Sequence, residues 1–231
     1  MASYTTQDIR NLALFHHAGS GKTTLAETLL HRMGVLGQPG AIERGDTVSD
    51  FTEEEREHGH SFFNSILHGD YQGKHINLID TPGSPDFLGQ AIGALPAVET
   101  LAITINAATG IEPITRRMMH IAEQRNLCRM IVVSRMDAAG ADLQQLVEQI
   151  QESFGKRCLP INLPAEGGQK VVDCFFNPEG ESDFGPVSDA HTAIVDQVVE
   201  VDEELVSTYL EQGEVSPDQL HEPFEKALRD G

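Results

Sequence analysis

Between Leu14 and Thr24 the chain reads LFHHAGSGKTT, an apolar strand-like run that breaks into a glycine-containing loop and opens a helix at Lys22. Loop amides that point inward, together with a helix N-terminus, gather unpaired N–H donors and a partial positive charge in one place, which is how a phosphate cradle is built. Lys22 adds a point charge for the outer phosphates of a triphosphate, and the Thr23 hydroxyl is suited to Mg²⁺. The run departs from the strict G-x-x-x-x-G-K-T form, because His16 stands where that form has its first glycine.

The surrounding pattern predicts the sheet that such a loop needs. Apolar stretches at 11–15, 62–67, 75–79, 100–106 and 130–133 read as strands. They alternate with helical patterns at 22–33, just after Asp86, at 114–126 and at 141–154. That alternation predicts an α/β fold, a mostly parallel twisted sheet with helices on both faces. The turn between Gly69 and Gly73 is short enough for a hairpin, so one edge strand should be antiparallel. From about Gly155 the pattern changes to short β-like pieces, CLPINLPA and KVVDCFF, then a Gly/Pro-rich stretch over 177–186 and two acidic helices. The first helix is expected over 191–211, with apolar residues at Ile194, Val198, Val201, Leu205 and Leu210; the second opens at Ser216 as N-cap with Pro217 at its first position. The expected division is a core over 1–155 and a packed α+β subdomain over 156–231.

Bulk properties exclude several classes. A chain of 231 residues with 39% hydrophobic content can fill a core and a smaller annex. It contains no run of ~18 apolar residues and no signal-peptide start, so a cytoplasmic protein without a membrane partner is expected. A formal charge of −20 argues against a surface that grips DNA directly, and any RNA must be met locally or through other domains. Cys128, Cys158 and Cys174 are odd in number and lack C-x-x-C spacing, which predicts reduced, buried thiols. The acidic stretch from Glu53 to Glu57 reads as a solvated, mobile segment, and the histidines at 16, 17, 58, 60 and 68 do not have the spacing of a zinc motif.

Two further motifs share the strand-end context of the phosphate loop. Asp80-Thr81-Pro82-Gly83 follows the apolar run KHINLI. A carboxylate there can support Mg²⁺ through water, and Gly83 lets its amide approach a terminal phosphate closely. Ser134-Arg135-Met136-Asp137 follows RMIVV. A carboxylate at that strand end can accept both N1–H and the 2-amino group of guanine, which adenine does not offer in that arrangement. Alone, Asp137 would read better as the cap of the next helix, and base recognition overtakes that reading only beside the other two motifs.

Taken together these motifs resemble the GTP-binding domain of translational GTPases, elongation factor G and elongation factor G-like proteins among them. His16 to Thr24 is similar to the family's A-H-x-D-x-G-K-T-T, so a non-glycine at position 16 is usual in the family. DFTEEEREHGHSFF resembles its first switch, DTPGSPDF its D-T-P-G-H-V-D-F, and SRMD its N-K-M-D; LPAEGGQKVVD and VDQVVEVDEELVSTYLEQGE are similar to the insert subdomain of elongation factor G. The resemblance implies a Ras-like P-loop fold that binds GTP or GDP with Mg²⁺ and works with the ribosome through a full-length protein. It implies nucleotide contacts from His17, Ala18, Gly19, Ser20, Gly21, Lys22, Thr23, Thr24, Asp80, Gly83, Ser134, Arg135 and Asp137. Metal contacts fall on Thr23, Ser61 and Asp80, and the catalytic positions are Ser84 and Gly83.

The departures from that pattern carry their own expectations. Gly19 replaces the cradle Asp implied to bind a monovalent cation, His60 an apolar gate residue, and Ser84 the histidine that orients water. Ser134 and Arg135 replace an Asn and a Lys, and Ser134 is not expected to bridge loop and base as an amide does. In the family a further strand and a guanine-contacting Ser-Ala segment follow the helix that here ends at ALRDG, so the last strand of the sheet is expected to be missing and affinity weakened. Two other readings stay open: a pseudo-GTPase scaffold with little or no turnover, and an ATP-using enzyme, which Asp137 disfavours.

Overall fold

The computed structural model describes residues 4–17, 19–212 and 215–230. The chain divides into two compact units, Met1–Asn106 with Glu112–Ser134, and Ala107–Ile111 with Arg135–Gly231.

The first unit is built on a five-stranded sheet. β1 (Ile9–Phe15), β2 (Ser65–Tyr71), β3 (Lys74–Asp80), β4 (Thr100–Asn106) and β5 (Cys128–Ser134) lie in the order β2-β3-β1-β4-β5. Every pairing is parallel except β2 with β3, the antiparallel edge that the close turn predicts. That turn is tighter than expected: β2 runs on to Tyr71, and Gln72 and Gly73, both at positive φ, make a two-residue hairpin loop. β2 also starts three residues later than its apolar run suggests. The amides of Phe62 and Phe63, at 2.9 and 3.1 Å, donate to the Glu55 carboxylate and not to a neighbouring strand.

The helices of this unit are α1 (Lys22–Arg32), α2 (Glu53–His58), α3 (Leu88–Ala94) and α4 (Pro113–Gln124). α1 packs along β1, β2 and β3, and α4 along β4 and β5. Because strand side chains alternate, Leu12 and Leu14 of β1 share one face; there Leu14, Leu78 and Ala102 form a buried cluster with Ala26 of α1. The register aligns Leu14 with Asp80 and Asn106 with Ser134; Asp80 follows directly on the buried Leu78 and Ile79, and Ser134 on the half-buried run Ile131 to Val133. These carboxyl ends are where ligands collect in sheets of this kind.

The second unit holds α5 (Leu143–Phe154), a hairpin of β6 (Asn162–Ala165) and β7 (Lys170–Asp173), then α6 (Val187–Val199), α7 (Glu203–Gln212) and α8 (Pro217–Asp230). Its core is formed by Leu163, Cys174, Phe175, Ile194, Val198 and Leu220 with their neighbours. The expected single helix over 191–211 is two. The Asp202 carboxylate accepts the Leu205 amide at 3.1 Å and restarts the helix, while Lys226 of α8 donates to the Val201 carbonyl at 2.8 Å. The break shifts the phase of the apolar stripe: Leu205 stays buried but Leu210 is 79% exposed. Of the three cysteines, all free, only Cys174 is buried, and Cys128 and Cys158 are half-exposed, so their expected burial is corrected at two positions.

Candidate functional site

The phosphate loop joins β1 to α1 within the first unit. Gly21, the residue before α1, has φ +86, a left-handed conformation that costs a residue with a side chain energy and glycine nothing comparable. The first bond into the helix runs from Leu25 N–H to the Gly21 carbonyl at 2.9 Å, so the amides of Lys22, Thr23 and Thr24 precede the helical ladder. Ala18 lies outside the described residues. Gly19 adopts φ +84, and no side-chain carboxylate stands at that position.

Charge is concentrated on the buried side of this loop. The Lys22 ammonium, on a residue 2% exposed, is ion-paired and hydrogen-bonded to Asp80 Oδ1, on a residue with no exposure. The Thr23 hydroxyl donates to Asp80 Oδ2 at 3.3 Å. Thr81 fixes the end of β3 to β1, because its hydroxyl and its amide both donate to the Leu14 carbonyl, at 2.7 and 3.4 Å. Lys22, Thr23 and Asp80, three of the residues nominated for phosphate and metal chemistry, therefore converge on one another. Thr24 is exposed on the first turn of the helix.

Two polar groups of the loop are buried without a hydrogen-bond partner among the described residues. They are the Ser20 hydroxyl and the His16 imidazole, the latter at both nitrogens. Burial, then the Lys22 charge, then His17 hold the His16 imidazole far below its ordinary range, so it is neutral. His17 instead places Nδ1 3.0 Å from the Glu112 carboxylate.

Ser134, at the end of β5, belongs to the same unit and ties the loop down. Its hydroxyl lies 2.7 Å from the Ser20 carbonyl and 3.3 Å from that of Ile105, and donates mainly to the nearer. A residue not expected to bridge loop and base thus does make the loop half of that bridge.

The segments that follow α1 are held by carboxylates whose roles the sequence did not reveal. Glu27, buried on α1, accepts the Gly40 amide at 2.8 Å and the Val48 amide at 2.6 Å, one on each oxygen. Asp50 accepts hydroxyls from Thr47 at 2.9 Å and from Ser61 at 2.7 Å. The Ser61 hydroxyl, nominated for metal, is thus engaged by Asp50. The stretch expected to be solvated and mobile forms α2, opened by a capping box in which Thr52 and Glu55 exchange hydrogen bonds. Glu55 is fully buried; the other three glutamates of the stretch are exposed. Burial pushes its carboxyl up, but the amides of Phe62, Thr52 and Phe63 and the Thr52 hydroxyl outweigh burial and hold it below its ordinary value.

Beyond β3, Pro82 and Gly83 are buried with Thr81, and the Ser84 hydroxyl accepts the Asp86 amide at 3.4 Å as the cap of a 3-10 turn, Pro85–Phe87. Phe87 of that turn packs on Phe62 and His60, with ring centres 4.9 and 6.3 Å away, so the segment that resembles the family's first switch meets the DTPGSPDF segment through aromatic rings. His68 lies elsewhere, against His75 of the β2–β3 hairpin. Among the described residues no three His, Cys, Asp or Glu side chains group as metal ligands, and no helix is long and apolar enough to cross a membrane.

Arg135 and Asp137, nominated for the base, are in the second unit and are exposed. Arg135 adopts φ +53, and a turn closes behind it through Ala138 N–H to the Arg135 carbonyl at 3.0 Å. Asp137 is not the cap of the next helix: Asp142 is, accepting the Gln145 amide at 2.9 Å. That removes the alternative that the tetrapeptide alone left open.

Residues 7–219 match the family described as the elongation factor Tu GTP binding domain. The chain is 30% identical to an elongation factor G-like protein of Mycobacterium tuberculosis over 236 aligned residues, 96% of this chain and 33% of that protein. It is 34% identical to peptide chain release factor 3 of Microcystis aeruginosa over 170 residues, 72% of this chain and 31% of that one. A crystal structure of a Thermus thermophilus protein superposes with a TM-score of 0.86 at 35% identity, covering 96% of this chain and 36% of that chain. The chain spans about a third of the length of the curated relatives it matches.

Proposed function

This chain belongs to the family of elongation factor Tu GTP binding domains, and on that premise we propose that it is the GTP-hydrolysing switch domain of an elongation factor G-like translational GTPase acting with the ribosome in the cytoplasm. The observation that carries the reading is the buried convergence of Lys22, Thr23 and Asp80 beside the amides that open α1 ahead of its helical ladder. Such a cluster suits a ligand that brings negative charge and a hard cation together.

In this reading residues 1–155 are the GTP-binding core and 156–231 the insert. Lys22 and the amides of residues 17–24 hold the phosphates, with the orphaned Ser20 hydroxyl available as a further donor. The Thr23 hydroxyl and Asp80 carboxylate are hard oxygen donors that fit Mg²⁺, with Ser61 joining them when Asp50 releases it. The metal, when bound, would neutralise charge on the phosphates. Gly83 offers its amide to the terminal phosphate and Asp137 reads guanine, with Arg135 stacking on the purine. Hydrolysis in this class is positioning and electrostatics, and Ser84 lacks the imidazole with which the family orients water, so turnover should be slow. The charge of −20 supports neither DNA nor a membrane as partner.

Titration with a fluorescent GTP analogue tests the binding half. Saturable binding that is lost in Lys22→Ala, with that variant's circular dichroism unchanged, supports it; equal binding by the variant overturns it. Phosphate release by the full-length protein, with and without ribosomes, tests the catalytic half. The resemblance implies that Ser84 stands in place of a water-orienting histidine and Gly19 in place of a cradle Asp; the second reading, a nucleotide-binding scaffold, replaces the first only if ribosomes evoke no release.

A further inference from the structure

The hairpin of β6 and β7 turns through Glu166, Gly167 and Gly168, at φ +54, +68 and +79, three successive left-handed residues. Such a turn aligns its amides, and here the amides of Gly167 and Gly168 both donate to the Asp183 carboxylate, at 3.0 Å to Oδ1 and 2.9 Å to Oδ2. Asp183 is itself tied to the hairpin, its own amide donating to the Pro164 carbonyl at 2.8 Å. The Lys170–Glu166 ion pair, at 2.5 Å, closes the other side of the turn. The turn is therefore a stiff object, fixed by a carboxylate from outside its own strands.

What that object touches is the peptide that carries Asp137. A Cβ on Gly168 would lie 2.9 Å from both the carbon and the oxygen of the Met136 carbonyl and 3.1 Å from the Asp137 nitrogen. Those are backbone atoms, which cannot rotate aside as a side chain can, so even a methyl group would displace the Met136–Asp137 peptide. Gly167, next door and equally left-handed, has nothing within 4 Å of the same position. Conformation alone would ask for glycine at both positions; only Gly168 is in addition out of space.

We propose that this turn is a positioning element for base recognition: Gly168, clamped by Asp183, sets the Met136–Asp137 peptide and with it the direction of the Asp137 carboxylate. The inference rests on the reading above that Asp137 selects guanine. It assigns the second unit a part in nucleotide choice, with Gly168 and Asp183 as positioning residues that do not touch the ligand.

Gly167→Ala and Gly168→Ala impose the same left-handed strain on an alanine, but only the second imposes the clash. GTP and inosine triphosphate, which lacks the 2-amino group, are titrated against the 231-residue chain and each variant, and exchange of the Ala138 amide is followed without nucleotide. In Gly168→Ala the preference for GTP over inosine triphosphate should fall about fivefold or more and Ala138 should exchange faster. Gly167→Ala should keep the preference within about twofold, and Asp183→Ala should shift both readouts in the direction of Gly168→Ala. General loss of fold lowers affinity for both nucleotides and does not mimic a change in their ratio. Gly168→Ala behaving like Gly167→Ala in either readout overturns the inference. A separate arm tests its premise: if Asp137→Ala leaves the ratio of the wild-type chain unchanged, or if that chain does not distinguish the two nucleotides, the base reading fails and this inference falls with it.

Discussion

His16 shows how one side chain can make a phosphate loop sensitive to acid. Neutral when folded and free to protonate when unfolded, it has a folded pKa well below its ordinary value of 6.5. The unfolded chain therefore binds the extra proton first, and stability present above pH 6.5 declines as pH falls below it. Replacing it removes that dependence, so the drop in melting temperature between pH 7 and pH 5.5 should be smaller in His16→Ala than in the wild-type chain, whatever the cost of the cavity at pH 7. Ser134 acts on the same loop from the other side. Ser134→Ala deprives the Ser20 carbonyl of its donor, a loss of about 1 kcal/mol, and should weaken binding of a GTP analogue about fivefold with little change at β5 itself. At this scale sequence reading was uneven. Lys22, Thr23 and Asp80 could be named together because they sit in short local motifs, and in the structure their side chains contact one another. Glu27, Asp50 and Thr81 could not, since no spacing rule announces a side chain whose partner lies in another segment; Glu55 is announced only in part, by its T-x-x-E spacing from Thr52, and its hold on the Phe62 and Phe63 amides is not.

The elements that were legible are those in which apolar periodicity and local turn chemistry agree. All five strands of the sheet and the antiparallel edge fall where alternating or continuous apolar runs predict them, β2 alone being displaced. The elements that differed are decided by single polar contacts: Glu55 withholds Phe62 and Phe63 from β2, and Asp202 restarts the helix that periodicity carried through. α2 owes its existence to the same Glu55. Because that carboxyl is held below its ordinary 4.5, its contribution is present above that pH and is lost as pH falls through the depressed value. Amide exchange at Phe62 and Phe63, corrected for the intrinsic rate, should therefore quicken on acidification below pH 4.5 while the amides of β4 remain protected. Glu55→Gln should show the faster exchange already at pH 7.

Across the whole molecule two properties govern stability. A charge of −20 on 231 residues repels itself, and salt screens that repulsion within about 10 Å at 0.1 M, so the melting temperature should rise as sodium chloride is raised from 0.02 to about 0.3 M. A flat or falling curve would mean that local ion pairs outweigh the net charge. Each unit also has its own apolar centre. Leu220→Ala, at a fully buried site of the second, should cost about 2 to 5 kcal/mol in denaturant unfolding. Glu27 carries a different consequence, for how this chain can change over generations. Its carboxylate grips residues 40–48 by the main-chain amides of Gly40 and Val48, and position 40 itself is kept to glycine because a Cβ there would lie 2.6 Å from the Asp46 carbonyl oxygen. The grip does not read the side chains between those two points. Mutations at exposed side chains of the segment such as Glu43 and Val48 can alter what it presents to a partner while leaving that attachment to α1 intact, whereas Gly40, Asp46 and Thr47 are tied by contacts of their own, so a new surface can be tried at those open positions without first inventing a new way to hold the segment.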